Sequence, residues 1–174
     1  TSGEPIASPV RPARKVALVS QERDRWSEWL LRRRHGDDPE RRRAMLERLT
    51  RIRDGVLDRA RLEAGDTLLD VGCGDGLIGF GALDRVGPTG RVIFADVSQD
   101  LLDLCRLRAV ETDTAKRCGF VCCSADRLDA VACGSVHGVT PRSVLIYVAD
   151  KPACFREFHR VLRPGGRLSI YEPI

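Results

Sequence analysis

Thr67-Leu68-Leu69-Asp70-Val71-Gly72-Cys73-Gly74-Asp75-Gly76-Leu77-Ile78-Gly79 decides how this chain folds. Leu68, Leu69 and Val71 make a short apolar run ending in glycines. Such a run suits a parallel strand covered on both faces. Gly72, Gly74 and Gly76 alternate where the chain must turn sharply and leave bare backbone open to a ligand. A helix starting near Leu77 then aims free N–H groups back at that ligand.

Two kinds of ligand fit the turn. Gly74 to Gly79 matches the G-x-G-x-x-G dinucleotide fingerprint, so an NAD(P)-dependent oxidoreductase is one reading. Asp75 speaks against it, because a pyrophosphate would meet a carboxylate. Asp70 ends an otherwise apolar strand, where an acid costs free energy unless it has a partner. Acids before and among the glycines suit a ligand with a cationic end. S-adenosylmethionine has one, an ammonium beside a sulfonium, and carries no phosphate.

Outward from the turn, strands and helices alternate. Helix is expected from Leu77 to about Arg85, strand over Arg91 to Asp96, and helix from Gln99 to about Val110 capped by Ser98. Glu111 to Arg117 reads as loop, Gly119 to Cys123 as strand, Arg127 to Cys133 as a short turn or helix, and Val136 to Thr140 as strand. Asp150, with Pro152 just inside, opens a helix ending at Leu162. Pro164-Gly165-Gly166 turns into a fifth strand, Arg167 to Glu172. This pattern predicts an α/β fold: a Rossmann-like, doubly wound, mostly parallel sheet of about five strands with helices on both faces. In such a sheet the ligand lies beyond the carboxyl ends of the strands. Asp70, Asp96, Asp126 and Arg142 all fall there. Asp96 can accept two hydrogen bonds from a ribose diol, with Val97 and Ser98 following toward a base.

Upstream, residues 1–18 hold Pro5, Pro9 and Pro12 and read as a loose arm. Residues 19–63 read as an N-terminal helical cap. A helix from Gln21 to about His35 would bring Trp26, Trp29 and Leu30 to one face. Asp38 then caps a second helix, starting at Pro39 and running to about Ala60, which Gly55 weakens. Residues 64–174 form the core domain.

Composition bounds the class. With 43% hydrophobic and 31% charged residues the chain can bury a core and keep a charged surface. No apolar run reaches the roughly 20 residues of a membrane span, and no secretory leader is visible, so a cytoplasmic protein is expected. The seven cysteines contain no C-x-x-C and read as small buried hydrophobes, with no metal site. Residues 1–65 hold 16 Arg+Lys against 11 Asp+Glu, a net +5, and the remainder carries −1, so the basic excess of the +4 chain sits in its N-terminal part. Those arginines alternate with acids and few aromatics accompany them, which favours a solvated helix face over nucleic-acid binding.

Asp70-Val71-Gly72-Cys73-Gly74-Asp75-Gly76 resembles the first motif of class I S-adenosylmethionine-dependent methyltransferases. The resemblance continues through Val92 to Asp96, Ser124-Ala125-Asp126 and Arg160 to Leu168, and so covers residues 67 to 172. It implies S-adenosylmethionine as co-substrate, bound by Asp70, Gly72, Cys73, Gly74, Gly76, Asp96, Val97, Ser98, Ala125 and Asp126. An acid at Asp126 is then expected to accept from the adenine amino group. The Arg160 to Gly166 segment is expected to be structural. The fourth strand departs from the family pattern by opening with Val136-His137, and His137 reads as a strand-start residue rather than a base. Pro141 stiffens the lip beside Arg142, Ser143 and Tyr147, the local candidates to face the methyl group or hold substrate. The family usually continues past a fifth strand. A shortened form, a fragment, or an edge supplied by another chain would explain the end at Ile174, and the exposed edge suggests a homo-oligomer. The expected reaction is in-line methyl transfer to a small-molecule acceptor. A non-catalytic cofactor-binding module is the alternative from another class.

Overall fold

The computed structural model describes residue 28 and residues 39–173. The expected arm, the first helix with Trp26, Trp29 and Leu30, and the Asp38 cap lie outside the described residues.

Helix α1 (Pro39–Ala60) leads into β1 (Thr67–Val71), α2 (Leu77–Val86), β2 (Arg91–Asp96), α3 (Gln99–Glu111) and β3 (Cys118–Cys122). After an irregular stretch come β4 (Val136–Pro141), α4 (Lys151–Val161) and β5 (Leu162–Leu168). The five strands make one sheet in the order β3-β2-β1-β4-β5, every pair parallel. The chain runs outward from β1 to β3, then returns to β1's other side as β4. Right-handed crossovers therefore put the helices of the two halves on opposite faces. The packing agrees. Leu57, Ile78, Leu83 and Leu102, from α1, α2 and α3, are buried with Leu68, Val92 and Phe94. Phe158 and Val161 of α4 are buried with Leu69, Val71 and Val139.

The period-2 alternation of strands explains this division. In β1, Leu68 faces one layer while Leu69 and Val71 face the other. In β2, Phe94 is fully buried between Phe80, tilted against it at 4.9 Å between ring centroids, and Phe120, stacked on it at 5.4 Å. Burying such a side chain contributes about 1.5–3 kcal/mol.

Helix ends follow their expected caps. Ser98 Oγ accepts from the Leu101 N–H at 3.2 Å, and Asp150 Oδ1 from the Ala153 N–H at 2.9 Å. Gly55 does not break α1, which continues through it. His137 sits at the N-terminal end of the sheet. Its Nδ1 accepts from the Thr67 N–H at 3.0 Å and its Nε2 lies 3.3 Å from Asp66. It joins β4 to the start of β1, far in sequence but adjacent in the sheet. Arg160 is structural as well. Its guanidinium donates to the carbonyls of Leu128 and Val131 and to Glu157. It thereby pins the stretch after β3, which forms turns and no helix.

Three local readings change. Ala115–Arg117, read as loop, makes a short 3₁₀ turn. The fifth strand begins earlier, since Leu162 already pairs with Val136. Arg163 to Gly166 bulge out before Arg167 resumes the ladder opposite Gly138. Its hydrogen bonds then continue past Leu168, from Ser169 N–H to Val139 O and from Tyr171 N–H to Pro141 O. The cysteines are not uniformly buried either. Cys73, Cys105 and Cys154 are, but Cys122 and Cys133 are exposed. All seven are free thiols, and among the described residues no cluster could hold a metal ion. Among them too, no helix is long and apolar enough to cross a membrane.

Candidate functional site

At the carboxyl ends of β1, β2, β3 and β4 lies a cleft of about 420 Å³. It opens where the chain's direction of winding reverses, between β1 and β4. Gly72 and Gly74 form its floor, Asp96, Val97 and Leu101 one side, and Ser124 to Asp126 the far end. Arg142, Ser143, Val144 and Tyr147 form the opposite lip.

The floor is bare because it must be. Gly72, Gly74 and Gly76 have φ of 61°, 56° and 79°, in the left-handed region that glycine tolerates. A Cβ on Gly72 would stand 2.3 Å from Cγ2 of Val144, on the lip. Floor and lip are thus in contact, and only glycine fits between them.

Asp70 does not line the cleft. It is buried beneath it, where its Oδ2 accepts from the Gly79 N–H at 2.8 Å. Gly79 is the third residue of α2, and the N-cap residue, Gly76, has no side chain to cap with. The Asp70 carboxyl therefore caps the helix from the neighbouring strand. Thr140 Oγ1 lies 3.5 Å from its other oxygen. Burial pushes the Asp70 carboxyl up to about 7, against the lowering effect of the Gly79 bond and the Arg142 charge. Asp70 thus ties the start of α2 to β1 from beneath the cleft.

Asp96 stands at the cleft wall and is 7% exposed. Its Oδ2 accepts from the Gly74 N–H at 2.8 Å and its Oδ1 from the Ser98 N–H at 2.9 Å. Asp96 thus braces the glycine turn and the start of α3 while it faces the cleft. Ser98 is buried and spends its side chain on the α3 cap, so it supports Asp96 rather than the cleft. Cys73 and Gly76 likewise lie behind the lining residues. The Cys73 and Cys105 thiols both point at the Gly74 carbonyl, at 3.9 and 3.4 Å. Contact with Cys105 and burial push the Cys73 thiol well above its ordinary range. Gly72, Gly74, Asp96, Val97, Ala125 and Asp126 line the cleft together, as do Arg142, Ser143 and Tyr147.

One residue that sequence reasoning passed over shapes the lip. Glu172 Oε1 accepts from the N–H groups of Val144 and Leu145 at 2.8 and 2.9 Å. It holds the chain just after Ser143, which has φ 56°, a rare conformation for a residue with a side chain. Glu172 ends the strand expected from the sequence, but what it holds is backbone, which no local pattern marks.

Residues 46–173 match the profile of the ubiE/COQ5 methyltransferase family. The chain belongs to that family. It is therefore a class I S-adenosylmethionine-dependent methyltransferase domain, and of the two nucleoside ligands the glycine turn allowed, S-adenosylmethionine is the co-substrate. Nocamycin O-methyltransferase of Saccharothrix syringae is 35% identical over 123 residues, which are 68% of this chain and 42% of that protein. Ubiquinone/menaquinone biosynthesis C-methyltransferase UbiE of Hahella chejuensis is 33% identical over 117 residues, 67% of this chain and 47% of that one. The domain thus spans less than half the length of these relatives. Among solved structures, geranyl diphosphate C-methyltransferase from Streptomyces coelicolor superposes with a TM-score of 0.67 at 27% identity. The superposition covers 80% of this chain and 49% of that one, whose crystals contain Mg2+, geranyl-S-thiolodiphosphate and S-adenosyl-L-homocysteine.

Proposed function

We propose that this domain holds S-adenosylmethionine in the 420 Å³ cleft and directs its methyl group to a small-molecule acceptor by in-line displacement. One observation carries the reading: a single cleft has acids at one end, a cation at the other, and bare glycine between. That is the charge pattern of a nucleoside joined to an amino acid. Asp96, at the cleft wall, would take the ribose hydroxyls, and Val97 would cover the sugar's edge. Ala125 and Asp126 would take the adenine, Asp126 accepting from its amino group. Gly72 and Gly74 would let the chain pass without a Cβ in its way.

The bound co-substrate supplies a methyl group already activated by a sulfonium, so the protein's share is alignment and exclusion of water. Val144, Val148 and Tyr147 make an apolar lip suited to excluding water. Ser143 and Tyr147 face the acceptor in this reading. A small organic acceptor is supported by that apolar lip and by relatives named for small organic molecules. Self-association through the sheet would use β3 or β5, its two edge strands.

Calorimetric titration with S-adenosylmethionine, and with NAD+ for contrast, tests the reading. Binding of the first alone is expected. Asp96→Ala should weaken that binding by at least about 1.5 kcal/mol, the loss expected for charged hydrogen bonds. Unchanged affinity would remove Asp96 from the site.

A further inference from the structure

The division of charge in the cleft leaves one group without a use. Among the described residues that line it, the acids are Asp96 and Asp126, and the cation is Arg142. Arg142 follows the last residue of β4, and that residue, Pro141, lies opposite Val71 in the β1–β4 ladder. The arginine therefore springs from the place where β1 becomes the glycine turn. It is half-buried, and no hydrogen bond or ion pair joins its side chain to any described residue. Its electrostatic neighbour is Asp70. That carboxyl is already committed to Gly79 and Thr140 beneath the floor. A partly desolvated guanidinium with an unused fork of donors is built for a planar anion.

The cofactor reading above says which anion. If the nucleoside lies against Asp96 and Asp126, the amino-acid end of the same molecule falls beside β1 and β4. That end carries an ammonium and a carboxylate. Backbone carbonyls can serve an ammonium, whereas a carboxylate needs donors, and an arginine supplies two in parallel. We propose that Arg142 holds the α-carboxylate of the methionyl group, and so belongs to the cofactor rather than to the acceptor. This rests on the cofactor reading. It narrows the acceptor-facing candidates to Ser143 and Tyr147.

The test crosses two proteins with two ligands. Wild type and Arg142→Gln are each titrated with S-adenosylhomocysteine and with its decarboxylated analogue, which keeps the amine, thioether and nucleoside. Because Arg142→Gln also removes a charge that favours ionised Asp70, the two proteins are compared by the ratio of the two ligands' affinities at one pH. Wild type should bind S-adenosylhomocysteine about tenfold more tightly than the analogue, as one charged pair contributes. In Arg142→Gln that ratio should fall close to one while affinity for the analogue changes little, and Arg142→Lys should recover part of it. A ratio unchanged in Arg142→Gln would overturn the proposal and leave the cofactor reading standing. Equal loss of both ligands would overturn it too, by showing that Arg142 acts through the fold. If wild type binds neither ligand, the cofactor reading itself fails and takes the proposal with it.

Discussion

Asp70 is an acid placed beyond the reach of water, and its pH behaviour follows from that. In the unfolded chain it titrates near 3.8, and burial raises it to about 7 in the folded one. Between those values the folded state binds more protons than the unfolded state. Stability contributed by this residue therefore falls as pH rises from about 4 to about 7, by at most about 1.4 kcal/mol per unit. Asp70→Asn keeps an acceptor for the Gly79 N–H and mimics the protonated acid. The unfolding free energy of wild type minus that of Asp70→Asn should decline across this window in urea titrations, then level off. A flat difference would show that the carboxyl is not desolvated. At this scale the sequence was partly legible. An acid at the end of an apolar strand demanded a partner. Which partner was hidden, because Gly79 is nine residues on and offers only its backbone N–H. Glu172 was missed for a similar reason: what it holds is backbone, 27 and 28 residues away.

At the scale of elements, the glycine turn works only because α2 comes very close to the sheet. Gly79 marks that approach. A Cβ there would stand 2.2 Å from Cε1 of Phe94, the ring that lies between Phe80 and Phe120. The position is helical and its backbone is unstrained, so Gly79→Ala sets the packing clash against the roughly 1 kcal/mol that alanine gains over glycine in a helix. It should destabilise by about 1–3 kcal/mol, the usual cost of overpacking a core. The double variant with Phe94→Leu should lose less than the sum of the two singles, since the smaller side chain gives the new methyl room. Additive losses in urea unfolding would deny the contact. The strand-turn-helix itself was legible, and so were both caps, since each is a local pattern. The bulge in β5 was not. Pro164-Gly165-Gly166 looks like a turn before a strand, and nothing local reveals that Leu162 already pairs with Val136. Cys122 is exposed for a reason of the same kind. It ends β3, an edge strand, and edge position depends on strand order rather than on neighbours in sequence.

Across the whole molecule, the sheet separates two cores and gathers its strand ends into one cleft. Asp96 shows what links them. It holds the glycine turn through Gly74 and the start of α3 through Ser98, while facing the cleft itself. A ligand that bonds to Asp96 is thereby coupled to elements on which folding depends. Binding to the folded state alone adds RT ln(1 + [L]/Kd), about 2.7 kcal/mol at a hundredfold excess over Kd. For a domain of this size each kcal/mol moves the melting temperature by about 2–4 °C. S-adenosylhomocysteine at that excess should therefore raise the midpoint by about 5–11 °C in a calorimetric scan, and by more as concentration grows. The Asp96→Ala protein should melt lower without ligand, because two backbone N–H groups lose their acceptor. It should also gain less from the same ligand concentration, because its Kd is weaker. Both changes in one variant are the signature of a residue that serves fold and ligand together. A lower midpoint with the full ligand-induced rise would leave Asp96 a structural residue only.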